Sequence, residues 1–145
     1  MKILRITKAD IKDGAYIKGA VDFAGHVDID DNLGIVAFTT IKATGYILAH
    51  SGSGIEAGSG IEAGSGIEAG WGIEAGLDIK AGRGIEAGRG IEAGTTISVK
   101  LRIFAGLIMW RKPTSDEIEI RCRRLLSGEV AYGKLIEAKE GKAKS

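Results

Sequence analysis

The chain predicts a mainly β fold, a single-stranded β-solenoid wound from six-residue rungs. A hexad built on Gly-x-Gly-Ile-Glu-Ala recurs through Gly54–Gly94, and a fixed short period is the mark of a solenoid. Within each hexad Ile and Ala stand two apart with Glu between them. In an extended strand that spacing puts the aliphatic pair on one face and the carboxylate on the other. Between strands the chain reads Gly-x-Gly, and glycine accepts the positive φ that tight turns use.

Each element follows from these patterns. Ile55, Ile61, Ile67, Ile73, Ile79, Ile85, Ile91, Ile97 and Ile103 step by six. Counted upstream, Ile11, Ile17, Phe23, Ile29, Ile35, Ile41 and Ile47 also step by six, and one eight-residue step joins the two series. Rungs are therefore expected over 11–108. A three-residue strand cannot hold itself together, so each rung needs a strand above and below, about 4.8 Å away. Coiling supplies both, and three faces per coil would make a coil about 18 residues long. A helix fits a six-residue period poorly, and two glycines per hexad would cost it too much. The regular isoleucines argue equally against a flexible Gly/Ser linker.

A coil stack has open ends and needs caps. Pro113 followed by Thr114-Ser115-Asp116-Glu117 reads as a helix start, with Thr114 and Glu117 forming a capping box. Ile118, Cys122, Leu125 and Leu126 then make one helical stripe, and Gly128 follows as a stop. The expectation is one domain, 1–145, with a cap over 109–138: a helix at about 115–127, then a strand at about 129–137. The alternation Ile118, Ile120, Cys122 supports a rival strand over 117–125. Residues 139–145 are expected to fray.

Composition narrows the function classes. A formal net charge of +1 with 27% charged residues lacks the basic excess of a nucleic-acid binder. The longest apolar run, 103–110, is about eight residues, far below the roughly 20 that span a bilayer. One cysteine, Cys122, excludes an internal disulfide framework and suggests a reducing, cytoplasmic setting. Met1–Ile6 is short and charged, unlike a secretory signal. The glycines open no Gly-Lys-Ser/Thr phosphate loop, and nothing calls for a cofactor.

Ile55-Glu56-Ala57-Gly58-Ser59-Gly60 resembles the hexapeptide repeat of left-handed β-helix proteins, with Ser59, Ser65 and Thr95 at the small-residue place and Trp71, Leu77, Arg83 and Arg89 departing from it. The chain more closely resembles uncharacterised bacterial proteins rich in Gly-Ile-(Glu/Lys)-Ala-Gly-Trp units, some encoded in mobile gene cassettes. That resemblance covers the repeat together with Leu101–Leu107 and Tyr132–Ile136. It implies a bacterial origin and supplies no function.

Several residue sets are candidates for chemistry or binding. At about 18 residues per coil, Glu56, Glu74 and Glu92 stack, as do Glu62 with Lys80 and Glu68 with Glu86. Stacked carboxylates raise one another's pKa or recruit cations, or simply form a solvated face that resists aggregation. Ser53, Trp71 and Arg89 share one corner. With Arg83 and Trp110, Trp71 and Arg89 are the candidate contact residues, since Trp and Arg are enriched at interface hot spots; packing against the terminal segments is the alternative. His50 lies in the eight-residue step. The resemblance to hexapeptide-type acyltransferases would make it a general base, and it is otherwise a loop residue. His26, Asp28 and Asp30 alternate along one stretch and are candidate ligands for a divalent metal, with spacing that matches no strong motif.

The functional expectation is a non-catalytic scaffold or binding module that self-associates into a homo-oligomer through its flat faces. The alternatives are an acyltransferase-like enzyme using His50 and a surface for an extended ligand, such as a polysaccharide, along the Glu and Trp columns.

Overall fold

The computed structural model describes residues 2–106 and 111–137. Apart from one 3-10 turn, Lys8–Asp10, its regular structure is strand, β1 to β19 along the chain. The strands wind into a β-solenoid of about seven coils. Three ladders run along it. The first stacks β4 (Ala20–Phe23), β7 (Thr40–Ala43), β10 (Ile61–Ala63), β13 (Ile79–Ala81) and the start of β16 (Thr96–Ala105). The second stacks β1 (Ile3–Ile6), β5 (His26–Ile29), β8 (Ile47–Ala49), β11 (Ile67–Ala69), β14 (Ile85–Ala87) and the end of β16. The third runs from β2 (Ile11–Lys12) and β3 (Ala15–Tyr16) through β6 (Gly34–Phe38), β9 (Ser53–Ala57), β12 (Ile73–Ala75), β15 (Ile91–Ala93) and β17 (Glu119–Cys122) to β19 (Lys134–Glu137). All pairings are parallel except β2 with β3. β18 (Arg124–Tyr132) lies parallel on β16.

The register is that of stacked repeats. Ile61 lies over Ile79, Glu62 over Lys80 and Ala63 over Ala81. Each Ile from Ile41 through Ile103 on the three ladders is buried, and with it the following Ala, or Val99 after Ile97. Burying each such side chain contributes roughly 1.5–3 kcal/mol, which lets strands of three residues persist.

The N-terminal coils correct the count of rungs. Val21 aligns with Ile41, Val27 with Ile47 and Val36 with Ile55. Phe23, Ile29 and Phe38 therefore occupy the place that Ala holds later. Ile17 and Ile35, expected inside, are 62% and 40% exposed. Extra residues at the corners, including Asn32 in the left-handed region at φ 57°, shift the chain by odd steps. An odd step turns every side chain to the other face, so the six-residue count before Ile41 was coincidental, while Ile41 and Ile47 are buried rungs as expected. The bulkier inward residues fill the tube near its end, where Tyr16 meets Phe38 with ring centroids 5.3 Å apart.

The expected helix over 115–127 is absent. Half of the capping box forms: the Thr114 amide donates to Glu117 Oε1 at 2.9 Å, while the Glu117 amide donates to the Thr114 backbone carbonyl at 3.1 Å. They close a turn that feeds β17. Ile120 and Cys122 alternate inward there, with Ile120 stacked on Ile91. Period two prevails because the open end of the third ladder offers unpaired backbone and a buried isoleucine to cover. Gly128, expected to stop a helix, sits within β18 at φ 108°, where a Cβ would strike Val99. The strand expected at 129–137 is divided between β18 and β19. The frayed tail expected at 139–145 and the contact residue Trp110 lie outside the described residues.

The glycines of the repeat are needed for a different reason than expected. None between Gly54 and Gly94 has positive φ; those that do lie elsewhere, such as Gly14, Gly19 and Gly52. Instead the first glycine after each Ala packs against the coil below. A Cβ on Gly76, Gly82, Gly88 or Gly94 would overlap the carbonyl oxygen of Gly58, Gly64, Gly70 or Gly76 respectively. The coils meet backbone to backbone at these corners, and only glycine fits.

Candidate functional site

Each ladder presents one outward residue per coil, and the three columns so formed differ in charge. On the third ladder Glu56, Glu74 and Glu92 stack in register, and Arg121 follows. Partial burial, then Glu92 and Glu56, push the Glu74 carboxyl above its ordinary pKa. On the second ladder partial burial and Glu68 do the same to Glu86. The repulsion expected from stacked carboxylates is thus present, second to desolvation. On the first ladder Asp22, Lys42, Glu62 and Lys80 stand one above another, so charge alternates along the column. Asp22 joins it through the N-terminal coils, where Val21 and not Phe23 aligns with Ile41, a register that the six-residue count misassigned.

The corner holding Ser53, Trp71 and Arg89 is as expected. The Trp71 amide donates to the Ser53 carbonyl at 2.9 Å and the Arg89 amide to the Trp71 carbonyl at 3.3 Å. The Arg89 guanidinium lies 4.5 Å from the Trp71 ring centroid, a cation–π contact. Its Nε is 3.7 Å from Glu117, which takes two 2.8 Å hydrogen bonds from Arg111. Hydrogen bonds from Arg111, then from the Thr114 amide, hold the Glu117 carboxyl down at about 2. Trp71 and Arg89 therefore fasten the turn at 111–117 to the stack. Arg83 is exposed on another corner and lines a groove.

That groove has a volume of about 1240 Å³. Its floor is the second ladder's outward column, Leu48, Glu68, Glu86 and Phe104 in register. Arg83 and Leu101 flank it on one side. Carboxylates, a cation and an aromatic ring along one open groove suit an extended polar ligand.

His50 has a partner that sequence reasoning missed. Its Nε2 lies 2.8 Å from Asp28 Oδ1, and Asp28 is only 7% exposed. The coil length of about 20 residues at this end, which puts Val27 beside Ile47, brings the two together. An imidazole held by a buried carboxylate has the orientation a general base uses. The neighbours on the open side are Arg5, Asp30, Asp31 and Ser51. His26 goes elsewhere: its Nδ1 accepts from the Tyr46 amide at 3.0 Å and its ring stacks on Tyr46 at 3.9 Å. Asp30 pairs with Arg5 at 3.4 Å. The three candidate metal ligands thus have three separate partners, and among the described residues no three His, Cys, Asp or Glu side chains converge on a metal position. Cys122 is buried in the core, and burial, then Glu137, push its thiol up to about 11, which keeps it an unreactive thiol.

No described helix is long and apolar enough to cross a membrane. Comparison with family models, with curated proteins and with solved structures gives no match.

Proposed function

We propose that this chain is a non-catalytic β-solenoid scaffold that associates with further copies of itself. One observation carries it: a rigid tube whose first ladder presents a straight column of alternating charge, Asp22, Lys42, Glu62 and Lys80. None of these groups has an ion-pair partner within the described chain. Unpartnered opposite charges at fixed spacing suit a complementary surface and resist a wrong one. The bacterial cytoplasm fits the resemblance of the repeat and the lone thiol. Light scattering across a concentration series tests the scaffold reading. An assembly mass that is a multiple of 15.2 kDa is expected; a monomer at every concentration would remove it.

The groove over Leu48, Glu68, Glu86 and Phe104 favours a second reading, a surface for an extended polar ligand such as a polysaccharide. Binding on a glycan array that is lost in Phe104→Ala would support it, and no binding by the native chain would remove it.

A further inference from the structure

We infer that the scaffold's self-contact is made by the first ladder's outward face against the same face of a second copy, with the two coil axes antiparallel about a two-fold axis. This rests on the self-association reading and adds the surface and its geometry. The column reads negative, positive, negative, positive from Asp22 to Lys80. A two-fold axis between the levels of Lys42 and Glu62 sets Asp22 opposite the second copy's Lys80. It sets Lys42 opposite the second copy's Glu62, and both pairs occur twice. Every level then meets its opposite charge, and the contact closes on itself, as isologous dimers do. Parallel in-register docking would set like on like at every level.

The other two faces lack this property. Turned on itself in the same way, the Glu56, Glu74, Glu92, Arg121 column pairs Glu56 with Arg121 but sets Glu74 on Glu92 at its centre. The second ladder sets Glu68 against Glu86. On the first face Asp22, Lys42, Glu62 and Lys80 are all exposed. The corner beside it carries Thr39, Ser59, Leu77 and Thr95 in one column, and Leu77 is 52% exposed. The same rotation carries Leu77 over Gly19 and Ala20 of the second copy, whose small side chains let the backbone close over it. Exposed ion pairs are individually worth little, so they set the register and the covered Leu77 supplies apolar burial.

The test uses the native chain and two variants. A zero-length carbodiimide cross-linker joins amine to carboxylate only in contact. Within one chain Lys80 and Asp22 lie three coil spacings apart, about 14 Å, so their linkage reports contact between copies. The expected result is an Asp22–Lys80 cross-link confined to the dimer band. In K42E the middle levels meet like with like, and the dimer dissociation constant should rise at least tenfold. In K42E/E62K the opposite charges are restored across the interface, and dimer should return. Circular dichroism confirms that both variants keep the native strand signal. A dimer without the Asp22–Lys80 link, or one unmoved by K42E, overturns this face and leaves self-association standing. A native chain that stays monomeric overturns both.

Discussion

Gly82 and Gly66 belong to the same repeat and do different work. A methyl on Gly82 would overlap the carbonyl of Gly64 in the coil below, whereas one on Gly66 would sit 3.4 Å from the Gly84 carbonyl. Neither has positive φ. Gly82→Ala should therefore cost about 1–3 kcal/mol or more, the range of overpacked sites. Gly66→Ala should be within about 1 kcal/mol of neutral, because the loss of unfolded-state freedom offsets a tight contact. Urea denaturation of the two variants separates them. The composition made the glycines visible, but not which of each pair is indispensable, since that depends on the approach of a coil 18 residues away. His50 gives a second case. His50→Ala strips the buried Asp28 of its partner and should cost about 1–3 kcal/mol, again read by denaturation. The pairing was hidden because it depends on a coil length that the upstream isoleucines misreport.

At the scale of elements, the Glu columns and the terminal turn respond to pH in opposite directions. Glu74 titrates above its ordinary value in the folded chain. Its ionisation then disfavours folding: the cost is absent below the unfolded pKa and develops as pH rises through the folded one. Glu74→Gln should thus match the native stability in acid and exceed it at neutral pH by about 0.5 kcal/mol, a screened surface value. Glu117 titrates at about 2, below the ordinary glutamate value of 4.5. Its contribution is complete above the unfolded pKa and is lost as pH falls from 4.5 toward 2. Acid should loosen the turn at 111–117, and Trp71 fluorescence in a Trp110→Phe background reports the loss of Arg89 from its ring. A capping box and a Pro made this segment read as a helix start. The Glu117 half of the box forms and closes a turn, and the element that follows was decided by the ladder it completes. Only the Ile118, Ile120, Cys122 alternation carried that information in the sequence.

The whole molecule is a column of isoleucines enclosed by short parallel strands. From Ile55 onward this was legible, because one residue type at one spacing sets strand, turn and stacking together. Before Ile41 the anchors are Val21, Val27 and Val36 at uneven steps, and a fixed period misassigns them. The candidate contacts were legible in part: Trp71 and Arg89 share the expected corner, while the alternating column needed the true N-terminal register. Removing one layer of the column should be felt throughout. Ile79→Ala, at a fully buried position between Ile61 and Ile97, should cost about 2–5 kcal/mol, measured by denaturant midpoint. The most direct test of the architecture is a methyl nuclear Overhauser spectrum of isoleucine-labelled protein. Stacked coils predict cross-peaks from Ile79 to both Ile61 and Ile97. If Ile79 contacted only isoleucines near it in sequence, or none, the wound tube would be contradicted.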